Sequence, residues 1–213
     1  MSQLNIYLNI YLNIYIDYVC PYVHRCIEWI ATLRQASVEL PPLRWRHFSL
    51  VQVNHRLRDG WHIWELPSTD PAWQEHDGAR SLRYFWAADA ARRQGDAAFL
   101  RFQLALTRAI HVDKTPPNSW GELETVAHQA DLELHRFVVD YRDPGALHRL
   151  AEDHNAGVAQ SVFGTPTFAF GDAVPMYIKL ARVLNAHEAQ AAWTDFSTVA
   201  QARPYIIEMK RPH

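Results

Sequence analysis

Every even position from Leu4 to Ile16 is aliphatic, and the odd positions between them are Asn or Tyr. A strict period of two is the pattern of a β-strand. It arises from three tandem copies of Leu-Asn-Ile-Tyr, at Leu4–Tyr7, Leu8–Tyr11 and Leu12–Tyr15. At about 3.3 Å per residue the run would stretch roughly 43 Å, far beyond an ordinary strand. The last copy, Leu12 to Ile16, is therefore the expected core strand. Residues 1–11 form an extra repeated segment, for which an added tail, an exchanged strand and an aggregation-prone edge all stay open. Solenoid folds repeat every 20 residues or more, so a four-residue repeat reads as a duplication and not as a repeat architecture.

The strand runs into Cys20-Pro21, and the pattern then changes. Val23, Cys26, Ile27, Ile30 and Leu33 recur at spacings of three and four, which predicts a helix. Pro41-Pro42 ends the connection, and Leu43 to Leu50 alternates as a second strand. Strand, helix, strand is a βαβ unit. From Gly60 to Asn155 the chain reads as helical. Arg80–Gln94 ends at Gly95, Asp96 is the expected N-cap of a helix to His111, Ser119 with Glu122 forms a capping box, and Asp143-Pro144 opens another helix with Asp as cap. Thr165–Phe170 and Val174–Ile178 are strands around a Gly171-Asp172 turn, and Asn185 caps a last helix, Ala186–Gln201. The expectation is an α/β fold with a mixed sheet covered on both faces. Residues 1–59 and 156–213 make one domain, and 60–155 a helical insertion.

Composition narrows the function. In 213 residues, apolar side chains are 48% and charged ones 21%, enough for a full core. A net charge of −2 offers no basic footprint for nucleic acid or an anionic membrane. No run of about 18 apolar residues predicts a membrane span. The first residues lack the basic stretch and cleavage site of a secretory leader. Two cysteines are too few for a disulfide framework and fit a reducing compartment, so the expected location is cytoplasmic. The twelve histidines, His128, His135, His148 and His154 among them, show no zinc-ligand spacing, so no metal is expected. Trp61, Trp64 and Trp73 are read as packing between domains in preference to lining a groove.

Cys20 is the residue with chemistry. It stands where a strand ends and a helix begins, and the unpaired N–H groups of a helix start favour a thiolate over a thiol. The thiolate is the nucleophile of disulfide exchange. Pro21 suits the first helical turn. Tyr22 beside it either shapes a substrate surface or caps the core. His24 is four residues on and, as a cation, would favour the thiolate further; a packing histidine is the other reading. A dithiol motif would need cysteine at position 23, where Val23 stands. Cys26 cannot replace it: six residues along a helix is roughly 240° of rotation and about 9 Å of rise, beyond the roughly 7 Å that a disulfide spans. Cys26 is assigned to the core. Far downstream, Thr165-Pro166 opens a strand, a placement that suits a cis bond or a strand start.

Cys20-Pro21-Tyr22-Val23 after a first strand, followed by Val162-Phe163-Gly164-Thr165-Pro166-Thr167-Phe168, resembles the DsbA-like family of thioredoxin-fold oxidoreductases. Phe48 to Asn54 and Asp153-His154-Asn155 add to the similarity, which covers the chain from about Leu12. The resemblance implies a thioredoxin-like fold with the helical block inserted between βαβ and ββα halves. It implies Cys20 as the attacking cysteine and Thr165-Pro166 as a cis-proline loop facing it. Relatives that isomerise 2-hydroxychromene-2-carboxylate, or transfer glutathione in the kappa class, keep this scaffold without a dithiol.

The expected function is a monothiol thiol–disulfide oxidoreductase, with Pro21, Tyr22, His24, Thr165 and Pro166 around the substrate. Its partner would be a disulfide-containing protein or a small thiol adduct. No cofactor is expected to be tightly bound; glutathione or another low-molecular-weight thiol is the candidate. A glutathione-dependent isomerase or transferase, a catalytically impaired binding module and a trapping variant stay open, as does a homodimer.

Overall fold

The computed structural model describes residues 11–54, 60–76, 78–171 and 173–209, so the repeated segment up to residue 10 and Asp172 of the expected turn lie outside the described residues. The last repeat copy is the first strand, β1 (Leu12–Ile16). It leads into α1 (Pro21–Gln35), β2 (Leu43–His47) and a short α2 (Leu50–Asn54). A one-turn α3 (Leu66–Thr69) precedes five longer helices: α4 (Ala79–Arg92), α5 (Asp96–His111), α6 (Trp120–Gln129), α7 (Leu134–Tyr141) and α8 (Gly145–Ala159). The chain then returns to the sheet with β3 (Thr167–Phe170) and β4 (Met176–Tyr177), and closes with α9 (Ala186–Ala202). The sheet order is β2-β1-β3-β4. β1 runs parallel to β2, with Leu12 opposite Leu43, and antiparallel to β3, with Ile14 opposite Phe168.

The period of two in β1 becomes two faces. Leu12, Ile14 and Ile16 are fully buried in the main core, which also holds Ile27, Trp29 and Ile30 of α1 and Phe196 of α9. Tyr15 points to the opposite face and packs with Phe48, Val162 and Ala169. α8 lies over this second face. A Cβ on Gly157 would come within 2.8 Å of Phe48 and 3.0 Å of Tyr15, so the helix sits this close only because the residue is glycine. On the first face, Trp29 ties α1 to α9: its Nε1–H donates to the Ala189 carbonyl at 2.9 Å, and its ring packs against Phe168, Trp193 and Phe196.

Several element ends differ from the sequence reading, each for a local reason. β2 stops at His47 and does not reach Leu50. There the Ser49 N–H donates to His154 and the Leu50 N–H to Asp17, which turns the chain into α2, whose Gln52 N–H donates to the Ser49 hydroxyl. Gly95, at φ +98°, is the N-cap of α5, and Asp96 is its first helical residue. The Asp143 carboxylate accepts the Gly145 N–H at 2.9 Å, but Pro144 is the residue at the cap position. β4 is shorter than expected because Val174 is exposed and Pro175 has no N–H to give the ladder. The domain boundary expected at 155 falls inside α8. The capping boxes of Ser119 with Glu122 and of Asn185 with Glu188 both form.

The three neighbouring tryptophans pack in different places: Trp73 toward Trp86 of α4, Trp64 toward His154 of α8, and Trp61 on His76. Among the described residues, no helix is long and apolar enough to cross a membrane.

Candidate active site

Four residues after the end of β1, Cys20 takes the N-cap position of α1 with extended backbone angles (φ −83°, ψ 121°). Its N–H donates to the Asp17 carbonyl at 3.0 Å, and its own carbonyl accepts the Val23 N–H at 3.0 Å. These two bonds fix the turn that lifts the sulfur out of the sheet. The thiol donates to the Thr165 carbonyl at 3.2 Å, across 145 residues of sequence. Thr165 precedes β3, and the Thr165–Pro166 peptide bond is cis. The Ile178 N–H donates to the Pro166 carbonyl at 3.3 Å, and the Thr167 hydroxyl to Gly164 at 2.7 Å, so the proline loop is held from both sides. The Thr165 hydroxyl is buried, with no hydrogen-bond partner among the described residues.

The structure brings Cys20, Pro21, Tyr22, Thr165 and Pro166 into one region. Pro21 is exposed at the first position of α1. Tyr22 is half-buried, with the Arg25 guanidinium 5.2 Å and the Lys179 ammonium 4.8 Å from its ring centre. The Tyr22 ring packs against the core and faces these two cations.

His24 packs against α5. Its Nδ1 lies 3.2 Å from the Thr107 hydroxyl. That hydroxyl donates to the Gln103 carbonyl, so Nδ1 carries the hydrogen. Burial first, and then the neighbouring His111, lower the His24 pKa to about 4. At neutral pH it is an uncharged packing group and supplies no cation to Cys20. His111 in turn donates to the Tyr18 carbonyl at 2.8 Å, pinning α5 to the segment just before the cysteine.

Position 23 offers Cys20 no thiol, and Cys26 is not available to it. Val23 is fully buried. Cys26 is also in the core, and burial pushes its thiol pKa far above the usual range. Both cysteines are free.

Sequence reasoning missed Asp17. This carboxylate is fully buried and accepts the Val19 and Leu50 N–H groups at 3.2 and 2.8 Å and the Ser81 hydroxyl at 3.1 Å. It joins the end of β1, the start of α2 and the inserted helix α4. Burial raises its pKa to about 6 against the pull of those bonds. An acidic residue taking the next odd position of the alternating strand, three before Cys20, was the available signal. Lys179 and Tyr177 were missed because they sit on and after a two-residue strand whose local pattern says nothing about position 20.

A cleft of about 270 Å³ opens elsewhere, along β2, between Arg44, Arg46, Arg92 and Phe99. It includes neither Cys20 nor the proline loop. Two of its arginines face Asp153, Arg46 at 2.6 Å and Arg92 at 3.8 Å.

A strand–helix cysteine opposed by a proline loop, on a mixed sheet interrupted by a helical block, defines the thioredoxin fold in its helix-inserted form. The model of the DSBA-like thioredoxin domain family matches residues 11–189, and the chain belongs to that family. No curated protein matches the sequence. Among solved structures, the chain is similar to the cytosolic disulfide reductase DsbM from Pseudomonas aeruginosa, at 15% identity over 89% of this chain and 100% of that one, with a TM-score of 0.59. DsbM has also been solved with GSH, and that structure matches at a TM-score of 0.58 over 88% of this chain and 98% of that one, again at 15% identity. A 2-hydroxychromene-2-carboxylate isomerase matches at 13% identity over 93% of this chain and 100% of that one, with a TM-score of 0.58. Reduced DsbA1 from Neisseria meningitidis matches at 14% identity over 96% and 89%, with a TM-score of 0.55. These likenesses establish the shared fold.

Proposed function

We propose that the protein is a monothiol thiol–disulfide oxidoreductase in which Cys20 does the chemistry and an external thiol completes the cycle. The carrying observation is the pairing of the Cys20 thiol with the Thr165 carbonyl, while position 23 carries no thiol and Cys26 is buried in the core. The Cys20 thiolate attacks one sulfur of a disulfide R–S–S–R. A Cys20–S–S–R bond forms, the original bond breaks, and RS⁻ leaves with the electron pair and takes up a proton from solvent. Cys20 is oxidised and the leaving thiol reduced. With the thiol proton gone, the Thr165 carbonyl is free to accept an N–H from an extended substrate. A second thiolate then attacks the mixed disulfide and returns Cys20 to its starting state.

Glutathione is the proposed external thiol, in keeping with the DsbM structure that contains GSH. We place the reaction in the cytoplasm, where such thiols stay reduced. The test is mass spectrometry of reduced protein after exposure to glutathione disulfide. Wild type gains one glutathionyl group, mapped to Cys20; Cys20→Ser gains none, and Cys26 stays free in both. An unmodified Cys20 overturns the reading.

A glutathione-assisted isomerase is the second reading, favoured by Val23 and by the likeness to the isomerase. Here the sulfur comes from bound glutathione, so turnover of a hydroxychromene carboxylate would survive Cys20→Ser.

A further inference from the structure

Two cations converge on one ring beside the reactive sulfur. Arg25, on the second turn of α1, lies over Tyr22 at 5.2 Å, and Lys179, in the segment after β4, lies over the same ring at 4.8 Å and over Tyr177 at 5.3 Å. The arrangement is held: Arg25 Nη1 donates to the Leu180 carbonyl at 2.7 Å, fastening the residue next to Lys179 onto α1. Lys179 itself is exposed; its ammonium interacts first with the Tyr177 hydroxyl, and more weakly with Tyr22 and Cys20. Among the described residues, no carboxylate forms an ion pair with either cation. Like charges gathered without a counter-ion repel one another. An aromatic face offsets that only in part, because an exposed cation–π contact is worth about 0.5–1 kcal/mol.

We infer that Lys179, seated by the Arg25–Leu180 bond, is a specificity-determining residue that selects disulfides carrying a carboxylate near the sulfur. The inference rests on Cys20 being the attacking thiol and adds the substrate class. A carboxylate a few bonds from the attacked sulfur reaches the ammonium while the sulfur meets Cys20, as the carboxylates of a glutathione-type thiol would. A cationic disulfide meets repulsion at the same place. Because Lys179 is exposed, the attraction is modest and is screened by salt.

The experiment measures the rate of Cys20 mixed-disulfide formation with three small disulfides: anionic 3,3′-dithiodipropionate, neutral bis(2-hydroxyethyl) disulfide and cationic cystamine. Wild type, Lys179→Gln and Lys179→Arg are compared at low and high salt. The expected result is that Lys179→Gln lowers the anionic-to-neutral rate ratio about three- to tenfold and raises the cationic-to-neutral ratio, in line with one exposed charge at close range. Lys179→Arg keeps the wild-type ratios, and high salt narrows all of them. Equal effects of Lys179→Gln on all three disulfides would overturn the inference while leaving Cys20 as the nucleophile. Failure of the neutral disulfide to react with wild type would instead overturn the Cys20 reading on which the inference stands.

Discussion

The hydrogen bond from the Cys20 thiol to the Thr165 carbonyl joins two segments 145 residues apart, and no spacing rule along the chain connects them. The sequence shows each half separately: a cysteine at a strand–helix junction, and a proline at a strand start. The same limit explains His24. Four-residue spacing put it on the cysteine's side of α1, but α5 packs there, and Thr107 and His111 receive the ring. Desolvation then keeps it neutral, since an imidazolium in that setting would lose water without gaining a counter-ion. Replacing His24 with Gln should therefore change the rate of Cys20 alkylation at pH 7 by less than about twofold, the small effect expected when no charge is removed. A tenfold fall would mean that His24 acts on the sulfur as a cation after all. Val23 and Cys26 were readable at this scale, Val23 because valine has no thiol and Cys26 because helix geometry alone separates it from Cys20.

At the level of elements, α8 docks on the sheet through a backbone-to-ring bond. His154 Nδ1 accepts the Ser49 N–H at 3.2 Å, and its ring stacks on Phe48 at 4.5 Å. An acceptor nitrogen must be unprotonated, and burial lowers the His154 pKa to about 4. The unfolded chain takes up this proton near pH 6.5, whereas the folded protein refuses it until about pH 4. The stabilisation is complete above pH 6.5 and is lost as pH falls toward 4, by about 3 kcal/mol in all. His154→Asn keeps an acceptor for Ser49 but cannot titrate, so denaturant melts between pH 4 and 7 should show its pH dependence reduced by that amount. Unchanged slopes would contradict this. Helix and strand identities were legible from periodicity and capping residues. Their ends were not, because β2 stops where Asp17 and His154 claim its next N–H groups, and both lie far away in sequence.

Across the whole molecule, the inserted helices and the sheet pack around Cys20, which is itself buried. α5 reaches the chain before the cysteine through His111, α4 reaches it through Ser81 and Asp17, and the Lys179 segment closes over Tyr22. Position 23 holds a valine with no thiol and Cys26 is buried in the core, so a mixed disulfide on Cys20 has no internal route to release. The direct measurement is the lifetime of that mixed disulfide in protein freed of excess reagent. Wild type carrying one glutathionyl group should keep it until a free thiol is added, whereas Val23→Cys should shed glutathione unaided and form a disulfide between positions 20 and 23. If the wild-type adduct clears at the same rate with no thiol present, the monothiol account is wrong.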